Sequence, residues 1–158
     1  MIRAATLRDA VQIADLWNQM IRHTQSTFTS VDKSVHDIMD LIGVRTGAFF
    51  VALTNQKLIG FVTFGPFREG PGYAATAEHT ILVADENQAS GVGRHLMQAA
   101  ESAARGLGHH VMVGAISHTN LDAQVFHRKL GYAEVGRMPQ VGHKSGQWLD
   151  LVLMQKVL

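Results

Sequence analysis

Cysteine is absent from the 158 residues, which excludes disulfides, thiolate metal sites and a cysteine nucleophile. Proline occurs only three times, and no apolar run approaches the roughly 20 residues of a membrane-spanning helix. The opening MIRAATLRDA lacks the apolar centre of a secretory signal. An excess of one charge is missing too. The 14 Lys and Arg against 13 Asp and Glu give a formal net charge of +1, with neither the basic block nor the basic-aromatic interleaving that holds a nucleic acid. These absences point to a small-molecule partner, with no nucleic acid and no membrane involved, and they suit the cytoplasm. What is present is apolar: 46% hydrophobic residues at this length predict one domain, residues 1–158, with a proper core.

The apolar residues alternate between two periods. Thr6 and Asp9, three apart, predict a capping box, and Ala10, Ile13, Ala14, Trp17, Met20 and Ile21 then recur at helical spacing. A weaker helix is expected over Val35 to Ile42, ending at Gly43, followed by AFFVAL and LIGFVTF as a hairpin around TNQK. FGPFREGPGY reads as a loop and AATAEHTILV as a strand. From Gly91 onward Val92, Leu96, Ala99, Ala100, Ala103 and Leu107 form a helical stripe, with Gly108 placed for a left-handed cap. VMVGAI then predicts a buried strand and LDAQVFHRKLG a helix ending at Gly131; AEVGRM and WLDLVLMQKVL supply the last strands, the latter as a core strand rather than an interface. The sum is a mixed α/β sheet with helices on its faces. The strand, glycine loop, helix, strand unit at its middle requires a parallel pair.

That glycine loop carries chemistry. A strand that turns through glycines into a helix aims free amide N–H groups and the positive end of the helix dipole at one place, a seat for an anion. Gly91 and Gly93 let backbone approach a phosphate, with small Ala89 and Ser90 and moderate Val92 beside them. Arg94 and His95 stand where a nucleoside-triphosphate loop needs Lys followed by Ser or Thr, and Leu96 stands where the dinucleotide fingerprint needs a small residue.

Gln88-Ala89-Ser90-Gly91-Val92-Gly93 resembles the Q-x-x-G-x-G signature of the GNAT family of acetyl-CoA-dependent N-acetyltransferases. The resemblance extends through Ile13 to Phe28, Gly60 to Tyr73, Ala77 to Val83, Phe126 to Tyr132 and Val141 to Leu158, and narrows to the phosphinothricin and methionine sulfoximine acetyltransferase branch. It implies the GNAT fold, a mostly antiparallel sheet splayed between its fourth and fifth strands. It implies acetyl-CoA as co-substrate, held by Gln88 and the amides of Ala89, Ser90, Gly91, Val92, Gly93 and Arg94 at the pyrophosphate. The backbones of Ile81, Leu82 and Val83 would take the pantetheine arm at a bulge, and Asn120 would reach the cofactor or simply cap its helix. A homodimer is the usual assembly of the family.

Acetyl transfer needs a base for the ammonium, a donor for the oxyanion and a proton for the departing thiolate. By the resemblance, Glu78 is the base, the Val83 N–H serves the oxyanion at a strand end beside a bulge, and His127 occupies the place where many relatives offer a tyrosine to the sulfur. His79 is expected on the opposite sheet face from Glu78. His109 and His110, at a helix end, read as dipole contacts, and no metal is expected. Arg68 and Tyr73 fall in the branch's substrate loop, where an arginine would hold an amino-acid carboxylate. Phe28, His143 and Lys144 would complete the wall, the latter two from a loop before the last strand. Leu82 replaces a tyrosine common in relatives, which touches substrate preference. The implied reaction moves acetyl to the α-amine of a small amino acid or analogue. A noncatalytic acyl-CoA-binding module, or an acetyltransferase acting on a peptide N-terminus or an aminoglycoside, are the alternatives.

Overall fold

The computed structural model describes residues 1–158. Seven strands, β1 (Ile2–Ala4), β2 (Phe49–Thr54), β3 (Lys57–Pro66), β4 (Thr76–Val83), β5 (Val111–Ser117), β6 (Ala133–Lys144) and β7 (Gln147–Val157), form one sheet in the order β1-β2-β3-β4-β5-β7-β6. Four α-helices accompany them: α1 (Ala10–His23), α2 (Val35–Val44), α3 (Val92–Gly106) and α4 (Leu121–Lys129). Every neighbouring strand pair is antiparallel except β4 with β5, the parallel pair required by the connection through α3. No helix is long and apolar enough to cross a membrane.

Alternation along the strands sorts side chains into two cores. Ile13, Trp17 and Ile21 of α1 and Ile38 and Ile42 of α2 pack on Phe49, Val51, Phe61 and Leu82. On the other face Leu96, Met97, Ala100 and Ala104 of α3 pack on Val62, Phe64, Ala77 and Met112, with Ala123 and Phe126 of α4 at the margin. The caps are those expected. The Thr6 N–H donates to Asp9 Oδ2 at 2.7 Å, opening a 3-10 turn that runs into α1, and Arg3 clasps the same carboxylate through two bonds of 2.8 Å. Gly108 and Gly131, at φ of 88° and 94°, follow the ends of α3 and α4 in the left-handed region.

Four expected boundaries move. The β3 strand runs on to Pro66, so Phe64, Gly65 and Pro66 of the expected loop pair with β4 instead. The α2 helix continues through Gly43 to Val44, because Gly43 faces solvent and nothing there breaks the ladder. At the end of α3, Leu107 falls outside the helix with 57% of its surface exposed, and Met97 and Ala104 fill the buried stripe instead. The β6 strand runs on to Lys144, so His143 and Lys144 lie in a hairpin strand turned at Ser145 and Gly146, not in a loop. As expected of a core strand, β7 lies between β5 and β6 and buries Leu149, Val152 and Met154.

The sheet opens at its centre. Parallel pairing begins at Thr76↔Val111 and stops at His79↔Gly114, although β4 continues to Val83 and β5 to Ser117. No bulge in β4 accompanies this: β3 and β4 stay in register from Pro66↔Ala77 to Gly60↔Val83, β3 bulges toward β2 at Ile59, skipped between Ala52↔Gly60 and Leu53↔Leu58, and β6 is irregular against β7. The expected bulge is therefore replaced by divergence of two regular strands.

Candidate active site

The V between β4 and β5 leaves backbone groups with nothing to bond. In an antiparallel ladder, residues alternate between exchanging both bonds with the partner strand and turning both away. Ala84 N–H bonds Ile59 O at 2.9 Å and Phe67 N–H bonds Thr76 O at 3.2 Å, which places the even-numbered residues of β4 in the bonded positions toward β3. Ile81 and Val83 consequently turn their N–H and C=O groups into the V. Leu82, by contrast, faces β3 with its peptide groups and the α1–α2 core with its side chain, 3% exposed. The pairing edge is thus Ile81 and Val83 without Leu82. An extended amide-bearing chain laid in the V would complete the sheet as an added strand.

Beyond Val83 the chain makes a 3-10 turn over Asp85–Asn87 and enters α3 through Gly91, the N-cap, at φ of 88°. The first helical bond is His95 N–H to Gly91 O at 3.2 Å, so the amides of Gly91, Val92, Gly93 and Arg94 have no backbone acceptor, nor has that of Ala89. Ser90 differs from the expectation: its N–H is taken by Asn87 O at 3.3 Å. The Gln88 side chain turns back to Asp85 Oδ1 at 3.0 Å. Gly93 explains itself by packing, since a Cβ there would meet the Phe126 ring at 3.2 Å, whereas a Cβ on Gly91 would meet nothing. Asn120 caps α4 by accepting from Ala123 N–H at 3.1 Å and donates to Ser26 Oγ at 3.2 Å. A phosphate fits this cradle of free amides at a helix N-terminus.

Glu78 lies on the α1–α2 face of the sheet, one residue before the last paired position, and is half-buried. Burial pushes its carboxyl above the ordinary range, and the charge of Arg45 pulls it part of the way back. Arg45, which ends α2, lays its guanidinium against Gly65, the residue paired with Glu78. No pattern in the sequence marks Arg45. The one available signal is Gly65, read from the sequence as loop but lying in β3, where a missing side chain admits a close neighbour.

His79 points to the other face, as expected, and is 6% exposed. Its Nε2 lies 2.8 Å from Nε2 of His127, whose Nδ1 lies 2.7 Å from Ala123 O. Gly114 makes room for the pair: a Cβ there would stand 3.0 Å from the His79 ring. Both nitrogens of His127 are therefore held inside the protein. Distance along β4 separates the other groups. At about 3.3 Å per residue, the Val83 N–H lies roughly 17 Å from Glu78 and the Ile81 N–H about 10 Å.

The wall residues divide. Phe28 packs on Gly142, whose added Cβ would fall 2.5 Å from the ring, and Lys144 Nζ donates to Thr24 O, Thr27 O and Thr27 Oγ1 at 2.8, 2.8 and 3.2 Å. The Lys144 ammonium thus ties the segment after α1 to the β6–β7 hairpin instead of facing a ligand. His143 lies tilted against the Trp148 ring, with centroids 4.5 Å apart. Arg68 and Tyr73 are exposed on the 67–75 loop, with the Arg68 guanidinium 5.6 Å from the Tyr73 ring. His109 and His110 join no cluster: no group of three His, Asp or Glu side chains converges where an ion could be held.

Comparison with known proteins agrees with this geometry. The Acetyltransferase (GNAT) family profile matches residues 15–132. The L-methionine sulfoximine/L-methionine sulfone acetyltransferase of Pseudomonas paraeruginosa is 34% identical over 158 residues, covering 98% of this chain and 92% of its own. The L-amino acid N-acyltransferase MnaT of Escherichia coli is 32% identical, covering 98% of this chain and 91% of its own. Among solved structures, a GNAT superfamily phosphinothricin acetyltransferase from Sinorhizobium meliloti in complex with AcCoA superimposes with a TM-score of 0.94 at 25% identity, covering 100% of this chain and 88% of its own. A sheet opened between β4 and β5, a cradle of free amides at the head of α3 and a match over most of the length have one common reading: the chain belongs to the GNAT acetyltransferase family.

Proposed function

We propose that residues 1–158 act as one acetyltransferase domain that moves acetyl from acetyl-CoA to the α-amine of a small amino acid or analogue, of the methionine sulfoximine, methionine sulfone or phosphinothricin kind, by direct attack. The names of the relatives support the substrate class. The observation that carries the chemistry is Glu78, a half-buried carboxylate without an ion-pair partner beside the point where β4 and β5 part. A carboxylate raised by desolvation accepts a proton from an ammonium near neutral pH more readily than an exposed one does.

In this reading the pyrophosphate rests on the amides of Ala89, Gly91, Val92, Gly93 and Arg94, and the pantetheine arm pairs with Val83. The oxyanion role expected of Val83 passes to the Ile81 N–H, the wedge-facing donor nearer Glu78. Glu78 takes the proton of the attacking amine directly or through water. His127 has no outward N–H, and burial lowers its pKa, so it is neutral at pH 7; the thiolate takes its proton from the amine by way of Glu78 and solvent. We assign the assembly as a homodimer, supported by the exposed apolar side chains of Val135, Met138, Val141 and Trp148 on β6 and β7 and tested by light scattering, and place it in the cytoplasm.

Thiol release from acetyl-CoA in the presence of a panel of amino acids, repeated with Glu78→Gln, is the decisive assay. Turnover with amino acids that collapses in the variant supports the proposal. Tight binding of acetyl-CoA with no turnover on any amine would identify a noncatalytic binding module.

A further inference from the structure

Arg45 is a charge without a counter-charge in contact. Its guanidinium lies on β3, with Nη2 2.8 Å and Nε 2.9 Å from where a Gly65 side chain would begin. One of its five donors reaches Thr63 Oγ1 at 3.2 Å, and Thr63 itself donates to Ala48 O at 3.0 Å, which fixes the group in place. None of the ion pairs in the protein includes Arg45 or Glu78. Because Gly65 pairs with Glu78, a cation and a carboxylate stand on the same sheet face across one strand spacing, both half-buried and neither neutralised by contact. Desolvated charges are ordinarily paired within the protein. Here the two are near enough to feel each other and too far apart to bond.

A molecule bearing an ammonium and a carboxylate on one carbon carries the two charges that complement this pair. Arg45 borders a cavity of about 520 Å³ whose wall also includes Gly65, Glu69, Tyr73 and Ala74 but not Glu78, so a small side chain would extend into it past Arg45 while the amine stays outside it, toward Glu78. We propose that Arg45 binds the carboxylate of an α-amino acid substrate whose nitrogen is held by Glu78, so that Arg45 sets the preference for free amino acids over other amines. The inference rests on the acetyltransferase reading above and adds a residue to it. Arg68, the loop arginine expected to do this work, is exposed and lies against Tyr73.

The test compares kcat/KM for an amino acid substrate with that for its carboxamide. The wild type is expected to favour the free acid by about ten- to a hundredfold, the worth of hydrogen bonds to a charged partner. Arg45→Leu should erase that preference, Arg45→Lys should restore only part of it because a point charge replaces a planar fork, and Arg68→Leu should retain it. Acetyl-CoA affinity by calorimetry and the melting temperature report whether each variant is folded. If Arg45→Leu does not fold, a preference at least threefold lower in Arg45→Lys carries the same conclusion. Retention of the full preference in the folded Arg45 variants, or its loss in Arg68→Leu, overturns the assignment. Wild-type turnover that ignores the carboxylate overturns it while leaving acetyl transfer standing, whereas no turnover with any amine overturns both.

Discussion

His79, the last paired residue of β4, meets His127 through their Nε2 atoms at 2.8 Å. The bonds assign the protons. Nδ1 of His127, 2.7 Å from a carbonyl oxygen, carries a hydrogen, so its Nε2 accepts and His79 supplies the shared proton from Nε2. Nδ1 of His79 is then a bare lone pair, consistent with its being buried without a partner. Burial, with His127 adding to it, pushes the His79 imidazole down from its ordinary value of 6.5 to about 3.

The pair makes stability depend on pH. An unfolded chain protonates this histidine near 6.5 and the folded one only near 3, so the unfolded state binds more protons across that window. The contribution is fully present above pH 6.5 and is lost as pH falls toward 3. Urea midpoints should drop between pH 6.5 and 4.5, and His79→Leu should flatten that slope while lowering stability at pH 7 by about 1–3 kcal/mol, because Nε2 of His127 loses its donor. Parallel pH profiles for the two proteins would contradict the buried neutral pair.

Glu78→Gln should lower kcat by about 10²- to 10⁴-fold with acetyl-CoA affinity retained. A base works deprotonated, so the rate should fall as pH drops through the raised carboxyl pKa, above the usual Glu range. Arg45 lowers that pKa, so Arg45→Gln should move the acid limb to higher pH. A limb that stays in place would show that the two charges do not communicate.

The two glycines of the cradle should fail differently. Gly93→Ala presses on the Phe126 ring and is expected to lose about 1–3 kcal/mol of stability, with weaker acetyl-CoA binding by calorimetry. Trimming the ring with Phe126→Leu should recover both. Gly91→Ala meets open space but a φ of 88°, which costs about 1–2 kcal/mol and which no trimming of Phe126 relieves.

Lys144→Met removes three bonds to Thr24 and Thr27. The segment carrying Phe28 should then exchange its amide hydrogens faster, and KM for the amine should rise while acetyl-CoA affinity holds. Unchanged exchange over residues 24–28 would mean that Phe28 on Gly142 suffices to hold the segment.

Much of this was legible in the sequence because local chemistry wrote it there. The Thr6 and Asp9 cap, the glycine at 108 past α3 and the amide cradle at Gly91 to Gly93 each depend on a few neighbouring residues. The opposite facing of Glu78 and His79 follows from strand alternation alone. What escaped depends on contacts between distant segments. Arg45 is remote in sequence from Glu78 and Gly65, His79 is 48 residues from His127, and Lys144 reaches back 117 residues to Thr27. The assignment of backbone donors to Ile81 and Val83 without Leu82 needed the phase of the β3–β4 ladder, which no side chain records.

Only four residue pairs seam β4 to β5, whereas seven join β3 to β4 and seven join β5 to β7. The protein is in effect two rigid panels stitched along a short edge, with the stitching confined to one end. Under the proposed reading, the pantetheine arm in the open end would act as a second row of stitches, tightening the angle between the panels and the placement of groups carried on opposite sides of the seam.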